Sequence, residues 1–292
     1  MNEAEENFLN SFADSKTIQE LSPTKLLEFS PTGEYFSYVV NDSLKIYTAR
    51  TGVLKNIITV SMDTMCYFQN NTLLHTKDNN ILYLSIYDNK YLRTFDAHKD
   101  TIKSISVNNC SDTFISVGKE SVKLWDIRYK DPIISLETQN MIGAISREND
   151  FVLANNNFVY IFDMRNFLHP KYTKPIKPNF YKKMWYTADS NCICLTTFKN
   201  HLFLQANGDY MSHLNLENES DGCSINDSNI FLGGSSKNLL AFKIQDNKRI
   251  GRLNIDNFDI SVARSNPYLS QFIVGSESSF KVFNRILEDY NR

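Results

Sequence analysis

The chain has 292 residues, 42% apolar and 22% charged, which is ample for a large core and excludes wholesale disorder. Its 31 basic and 33 acidic side chains leave a net charge of −2, which excludes holding nucleic acid by bulk electrostatics. Aromatic residues, at 13%, favour sheet over a helical bundle.

The chain opens Met1-Asn2-Glu3-Ala4-Glu5-Glu6, acidic where a secretory leader is basic and then apolar, so no signal peptide and no export are expected. No apolar run approaches the roughly 18 residues of a membrane-spanning helix. The five cysteines are odd in number and scattered, which suits a reducing compartment. An intracellular protein without membrane contact is the expectation. Residues 1–14 read as a flexible tail and 15–292 as one domain. Within the tail, a short helix over Glu3–Phe12 would place Phe8, Leu9 and Phe12 on one side, but a mobile segment lightly packed on the domain is the reading adopted.

Internal repetition organises the rest. In Ser121–Arg128, Val122, Leu124, Trp125 and Ile127 interleave with polar residues, as in a strand packed on both faces. Similar segments are anchored on Tyr47, Leu84, Phe162, Phe203, Phe242 and Phe283, so the anchors recur every 37 to 41 residues. One position before the anchor stand Ile46, Tyr83, Leu124, Ile161, Leu202, Ala241 and Val282, all apolar; three before it, only Asn200 is polar. A period near 40 with four short strands is that of a propeller blade. Blade three is predicted as Thr101–Val107, Asp112–Gly118, Ser121–Arg128 and Pro132–Thr138. Ten glycines cannot serve every turn, so asparagine runs such as Asn70-Asn71, Asn79-Asn80 and Asn155-Asn156-Asn157 are expected to help. Only nine residues follow Phe283, too few for a last hairpin, and Lys16–Leu21 is predicted to supply the missing outer strand. The fold predicted is all-β, a seven-bladed propeller closed by an N-terminal strand.

Ala97-His98 before a first strand, Ser116 on a second and Trp125-Asp126 closing a third resemble the WD-repeat family. In that family His, Ser or Thr, Asp and Trp form a hydrogen-bonded tetrad. His98, Ser116 and Trp125 fit, whereas the turn Gly118-Lys119-Glu120-Ser121 lacks the Asp. The run from Tyr83 to Asp100, with Asp112–Ser116, Leu124–Arg128 and Val159–Phe167, is similar to the WD-repeat subunit of COMPASS-type histone lysine methyltransferase complexes. That subunit also serves the fungal cleavage and polyadenylation factor and an animal type-1 phosphatase complex. The resemblance implies a nuclear, non-catalytic scaffold that holds the N-terminal region of a SET-domain methyltransferase, or a termination or phosphatase scaffold. It implies no direct contact with nucleic acid. The alternatives are a substrate receptor of a cullin–RING ubiquitin ligase and, from another class, a propeller hydrolase.

Each candidate site has a structural reading beside it. His98 reads as a blade-bonding histidine rather than a base or ligand, and His75, His98, His169, His201 and His213 show no metal-binding spacing. Cys192 and Cys194 share a strand face but lack further ligands nearby, so they read as small buried hydrophobes. No phosphate loop, nucleophile elbow or dinucleotide fingerprint is present, and Gly233-Gly234 reads as close packing; no catalytic residue, metal or cofactor is predicted. Asp126-Ile127-Arg128 and Asp163-Met164-Arg165 read first as ion pairs at strand ends. They also resemble the paired elements by which WD-repeat receptors engage a cullin adaptor. Lys171–Lys183, with Pro175 and Pro178, reads as a ragged basic edge strand, with partner contact as its alternative. The connections that enter first strands and join second to third strands share one face. In blades two and three they place Asp63, Thr64, Asp78, Asn79, Asp96, Lys99, Asp100, Lys119 and Glu120 there as candidate partner-binding residues.

Overall fold

The computed structural model describes residues 8–108, 110–197, 199–216, 220–225, 230–255 and 258–286. These form seven four-stranded antiparallel sheets. Blade one is Thr24–Phe29, Tyr35–Val40, Ser43–Thr48 and Leu54–Thr59; blade two is Met65–Gln69, Thr72–Lys77, Asn80–Ser85 and Lys90–Asp96. Blade three is Ser104–Val107, Thr113–Val117, Ser121–Asp126 and Ile134–Glu137, within each predicted strand. Blade four is Ile142–Ile145, Asp150–Ala154, Phe158–Asp163 and Tyr172–Pro175, so the basic stretch does carry a short outer strand. Blade five is Lys183–Tyr186, Cys192–Thr196, Asn200–Gln205 and Tyr210–Asn215; blade six is Cys223–Ile225, Ile230–Ser235, Asn238–Lys243 and Arg249–Asn254. Blade seven takes Val262–Ser265, Gln271–Gly275 and Ser279–Arg285 from the end of the chain and Phe12–Gln19 from its start. All seven predicted anchors lie on third strands.

Period-two alternation explains why the core is divided. Successive side chains of a strand point to opposite faces, and each blade has a neighbour on both faces. Phe114 and Trp125 thus enter the seam with blade two, while Ile115, Val122 and Leu124 enter the seam with blade four. Seven apolar clusters fill the seven seams, and among the described residues the large rings Trp125, Tyr38, Phe36, Phe95, Phe114, Phe151 and Phe203 are fully buried.

The predicted asparagine runs do lie in turns or bends, but the left-handed backbone falls on neighbours. Asn41, Asp42, Asp78, Asn89, Asn149 and Asn247 have positive φ, Asp78 at 56° rather than Asn79. The short side-chain amide or carboxylate bonds the local backbone and offsets the steric cost of that region.

The latch is longer at its start than predicted: Phe12 pairs with Arg285 and Gln19 with Ser279, with an irregularity between Asp14 and Lys16. The division at 14/15 therefore falls inside a strand, because Phe12 anchors against Phe272, 4.9 Å between ring centroids. The expected helix over Glu3–Phe12 is, in its described part, one 3₁₀ turn at Leu9–Ser11; residues 3–7 lie outside the described residues. Leu9 is buried against Gly251 of blade six, where a β-carbon would meet its side chain at 3.0 Å.

Past the latch strand the chain ties blade seven to blade one. The Glu20 carboxylate accepts from Lys45 Nζ at 2.8 Å and from the Tyr38 hydroxyl. Gln271 Nε2 donates to the Ala49 carbonyl at 2.8 Å and Asn266 Nδ2 to that of Gly33 at 2.9 Å. Truncating residues 1–22 removes the outer strand of blade seven, its buried Phe12 and Ile18, and the Glu20 tie. The melting temperature is expected to fall by about 10 °C or more. An unchanged transition in a thermal melt would refute the latch.

Candidate functional site

The hydrogen-bonded centre of blade three is built by strand pairing. Ser116 and Trp125 come from adjacent strands, and His98 enters from the connection before the first strand. Trp125 Nε1 donates to Ser116 Oγ at 2.8 Å, and His98 Nε2 lies 2.7 Å from the same oxygen. His98 Nδ1 lies 2.9 Å from Ser121 Oγ. A hydroxyl that accepts from the indole and donates to Nε2 leaves Nδ1–H to donate to Ser121, which fixes the tautomer through the network. The three expected residues are thus joined, and Ser121 supplies the fourth partner where the sequence lacked the aspartate. Gly118 is required beside them, since a β-carbon there would meet Asp100 Oδ1 at 2.6 Å and His98 Nδ1 at 2.7 Å.

Burial pulls the His98 pKa down to about 4, with Lys123 adding to the shift and Asp100 opposing it. Burial does the same to His75, also to about 4. The native state therefore binds fewer protons than the unfolded chain, whose imidazoles titrate near 6.5. The stability each imidazole contributes is complete above about pH 6.5, falls as the pH drops from there towards 4, and is at most about 3 kcal/mol. Denaturant unfolding from pH 7 to 4 is expected to show that fall. Ser121→Asp, which sets a carboxylate on Nδ1–H, is expected to raise the His98 pKa by about one unit or more in an NMR titration.

The face residues of blades two and three come together through backbone and side-chain bonds. Asn79 Nδ2 donates to the Lys99 carbonyl at 3.1 Å, and His98 N–H to that of Asn79 at 3.1 Å. Asp100 Oδ2 accepts from Glu120 N–H at 2.8 Å, while the Lys119 and Glu120 carbonyls accept from Asn140 and Thr138. Asp63 and Thr64 are bonded to Thr76, and Asp78 forms the left-handed corner beside Asn79. Asp96 pairs with Asn80 at the strand end leading into this face. The surface mixes both signs of charge.

The two Asp-x-Arg elements adopt one geometry on the opposite face. Asp126 Oδ1 accepts from Arg128 N–H and Nε at 2.9 Å, and Oδ2 accepts from Nη2 at 2.5 Å. Asp163 accepts from Arg165 N–H, Nε and Nη2 at 2.9, 3.0 and 2.8 Å. The Arg hydrogen bonds hold both carboxyl groups below the usual carboxylate range. The arginine side chains remain 64% and 81% exposed, so each fork is ordered by its own turn yet open outward. Arg128→Ala with Arg165→Ala is expected to leave the melting transition within a few degrees of the parent, checked by circular dichroism.

One charged assembly had no sequence signal, because its members are far apart in the chain. Lys183, Asp221, Arg264 and Glu28 come from or adjoin the inner strands of blades five, six, seven and one. Arg264 Nη2 lies 2.7 Å from Asp221 Oδ2 and Nε 3.4 Å from Glu28 Oε1, and Lys183 meets Asp221 as well. Burial alone pushes the Asp221 carboxyl up, yet Arg264 and Lys183 together hold it below the usual range. Cys192 and Cys194 are buried in the seam of blades five and six, and burial raises the Cys194 thiol well above its ordinary pKa.

No family model matches the chain. It is 26% identical over 268 residues to an uncharacterized WD repeat-containing protein of Schizosaccharomyces pombe, covering 79% of this chain and 72% of that protein. The chain is a seven-bladed β-propeller with WD-repeat relatives. The propeller is also 31% identical over 160 residues to Set1 complex component swd2 of the same yeast, 48% of this chain and 44% of that one. To COMPASS component SWD2 of Saccharomyces cerevisiae it is 28% identical over 149 residues, 47% of this chain and 45% of that one. The matched region thus spans less than half the length of these last two relatives.

Proposed function

We propose that the propeller is a non-catalytic protein-interaction scaffold, a nuclear subunit of a Set1-type histone lysine methyltransferase complex. The observation that carries this reading is the similarity to two relatives named as Set1 or COMPASS components. The fold suits the role: turns from seven blades present many short, rigidly held loops on two faces, where several segments of a large partner can dock at once. On this reading the partner is the N-terminal region of a SET-domain methyltransferase. The face formed by Asp78-Asn79, Lys99-Asp100 and Lys119-Glu120 is the docking surface. Service in a termination, polyadenylation or phosphatase assembly belongs to the same reading.

A ubiquitin-ligase substrate receptor is the second reading, favoured by the matched, outward-facing guanidinium forks of Arg128 and Arg165. Purification of the affinity-tagged full chain from its own cells, with partners identified by mass spectrometry, separates the two. A SET-domain methyltransferase, or polyadenylation or phosphatase subunits, should be recovered. A cullin adaptor without them, lost on Arg128→Ala with Arg165→Ala, would transfer the function to the second reading.

A further inference from the structure

Lys171–Lys183 contributes to a cleft that the functional reading above does not use. The outer strand of blade four stops at Pro175, and the chain continues irregularly through Ile176, Lys177 and Pro178. Across from it stand the third and fourth strands of blade five and the turn between them. Between the two lies a cleft of about 180 Å³, walled by Ile176, Leu202 and Leu204 and edged by Lys177, Tyr210 and His213. Gly208 lets the blade-five turn close on blade four: its φ is +85°, and a β-carbon would approach Ile161 and Lys174 to 3.1 Å.

The charge at this cleft is one-sided. Its lining includes an ammonium and an imidazole and no carboxylate. The nearest acid on the turn, Asp209, is engaged by Lys174 Nζ at 2.8 Å. Lys171 is likewise engaged by Asp150 and Asp163, and Lys183 by Asp221, so the basic stretch is largely neutralised except at the cleft. Burial, and then the charge of Lys177, lower the His213 pKa, as expected of a base that faces a cation with no anion between them. The surface beyond the cleft is apolar: Phe180 is 78% exposed and Tyr210 66%, with Tyr172 beside them. Aromatic side chains so displayed mark contact surfaces more often than they mark a solvated rim.

We infer that this cleft between blades four and five docks an extended acidic peptide segment, seating an apolar side chain against Leu202 and Leu204 and a neighbouring Asp or Glu carboxylate between Lys177 and His213. An internal segment fits better than a chain end, because Phe180 and Tyr172 extend the apolar surface past the cleft and need flanking residues to cover them. This rests on the scaffold reading of the propeller but on no particular assembly.

The test uses the full chain and an array of short fluorescein-labelled peptides, capped at the C-terminus, in which Leu or Phe adjoins Asp or Glu. Matched peptides carry Asn or Gln instead, and a third set has a free C-terminus and no acidic side chain. By fluorescence anisotropy, acidic peptides should bind saturably and about tenfold tighter than their amide counterparts, and Lys177→Gln should weaken them by about five- to tenfold. Affinity should rise as the pH falls below about 6.5, since the bound carboxylate favours charged His213 over the facing Lys177, Lys174 and Asp209 background; His213→Gln should abolish that rise. Equal binding of the amide peptides, preference for the free C-terminus, no saturable binding, or a pH response that survives His213→Gln would each overturn the inference. Purification of the Lys177→Gln chain separates the two levels. Loss of peptide binding with the methyltransferase retained supports the cleft as an additional site, whereas absence of any partner from the parent chain counts against the scaffold reading itself.

Discussion

Ring closure is the constraint on which the rest of this molecule depends. Each blade is packed on both faces, so removing one seam exposes two apolar sheet surfaces rather than one. A twisted stack of four-stranded sheets has no natural end until it meets its own beginning. Here the meeting point is blade seven, whose outer strand comes from the other end of the chain. The backbone ladder to Ser279–Arg285 supplies the pairing, and Phe12 and Ile18 supply apolar contact on opposite sides. The polar ties then act across the next seam. Glu20, largely buried, answers Lys45 and Tyr38 on blade one, and the amides of Asn266 and Gln271 reach carbonyls of Gly33 and Ala49. A buried amide or carboxylate left unpaired costs more than its bond contributes. These groups therefore penalise a slipped or open ring more than they reward the closed one.

The same logic applies at the inner ring, where Lys183, Asp221, Arg264 and Glu28 run across four consecutive blades that include the closing seam. Two cations share one buried carboxylate, so its charge is compensated only when blades five, six and seven hold their spacing. Such an arrangement contributes to one defined geometry more than to net stability, since desolvation offsets much of the Coulombic gain. A rigid disc follows, and rigidity is what lets loops on either face act as a fixed pattern for a partner.

Much of this architecture was legible because it is local and periodic. The anchor residues each sit on a third strand, which needs apolar side chains on both faces, and that demand repeats once per blade. The latch was legible by elimination, from the short remainder after Phe283. Its start was not: in Phe12–Gln19 only Phe12 and Ile18 are buried, and the polar residues between them carry no alternation. The left-handed corners were misplaced by a residue or so, as at Asp78 beside Asn79, because composition marks a turn without fixing its register. Ser121 went unrecognised as the fourth partner of the blade-three network for a related reason. The sequence was searched for a carboxylate in the turn, whereas the ring nitrogen is met by a hydroxyl at the start of the following strand.

Docking surfaces are the least legible level, since they depend on which turns a closed ring brings side by side. Lys171–Lys183 shows the difficulty: as a sequence it is a run of lysines, and most of that charge is cancelled by aspartates from elsewhere in the chain. What survives cancellation is Lys177, facing His213 across an apolar floor contributed by another blade. Residual charge after intramolecular pairing, and not charge as counted along the chain, sets the chemistry a surface can recognise. The Asp-x-Arg turns show the converse. Their repetition is visible in sequence, but each aspartate first orders its own arginine, so the repeated motif records a shared turn geometry before it records a shared partner.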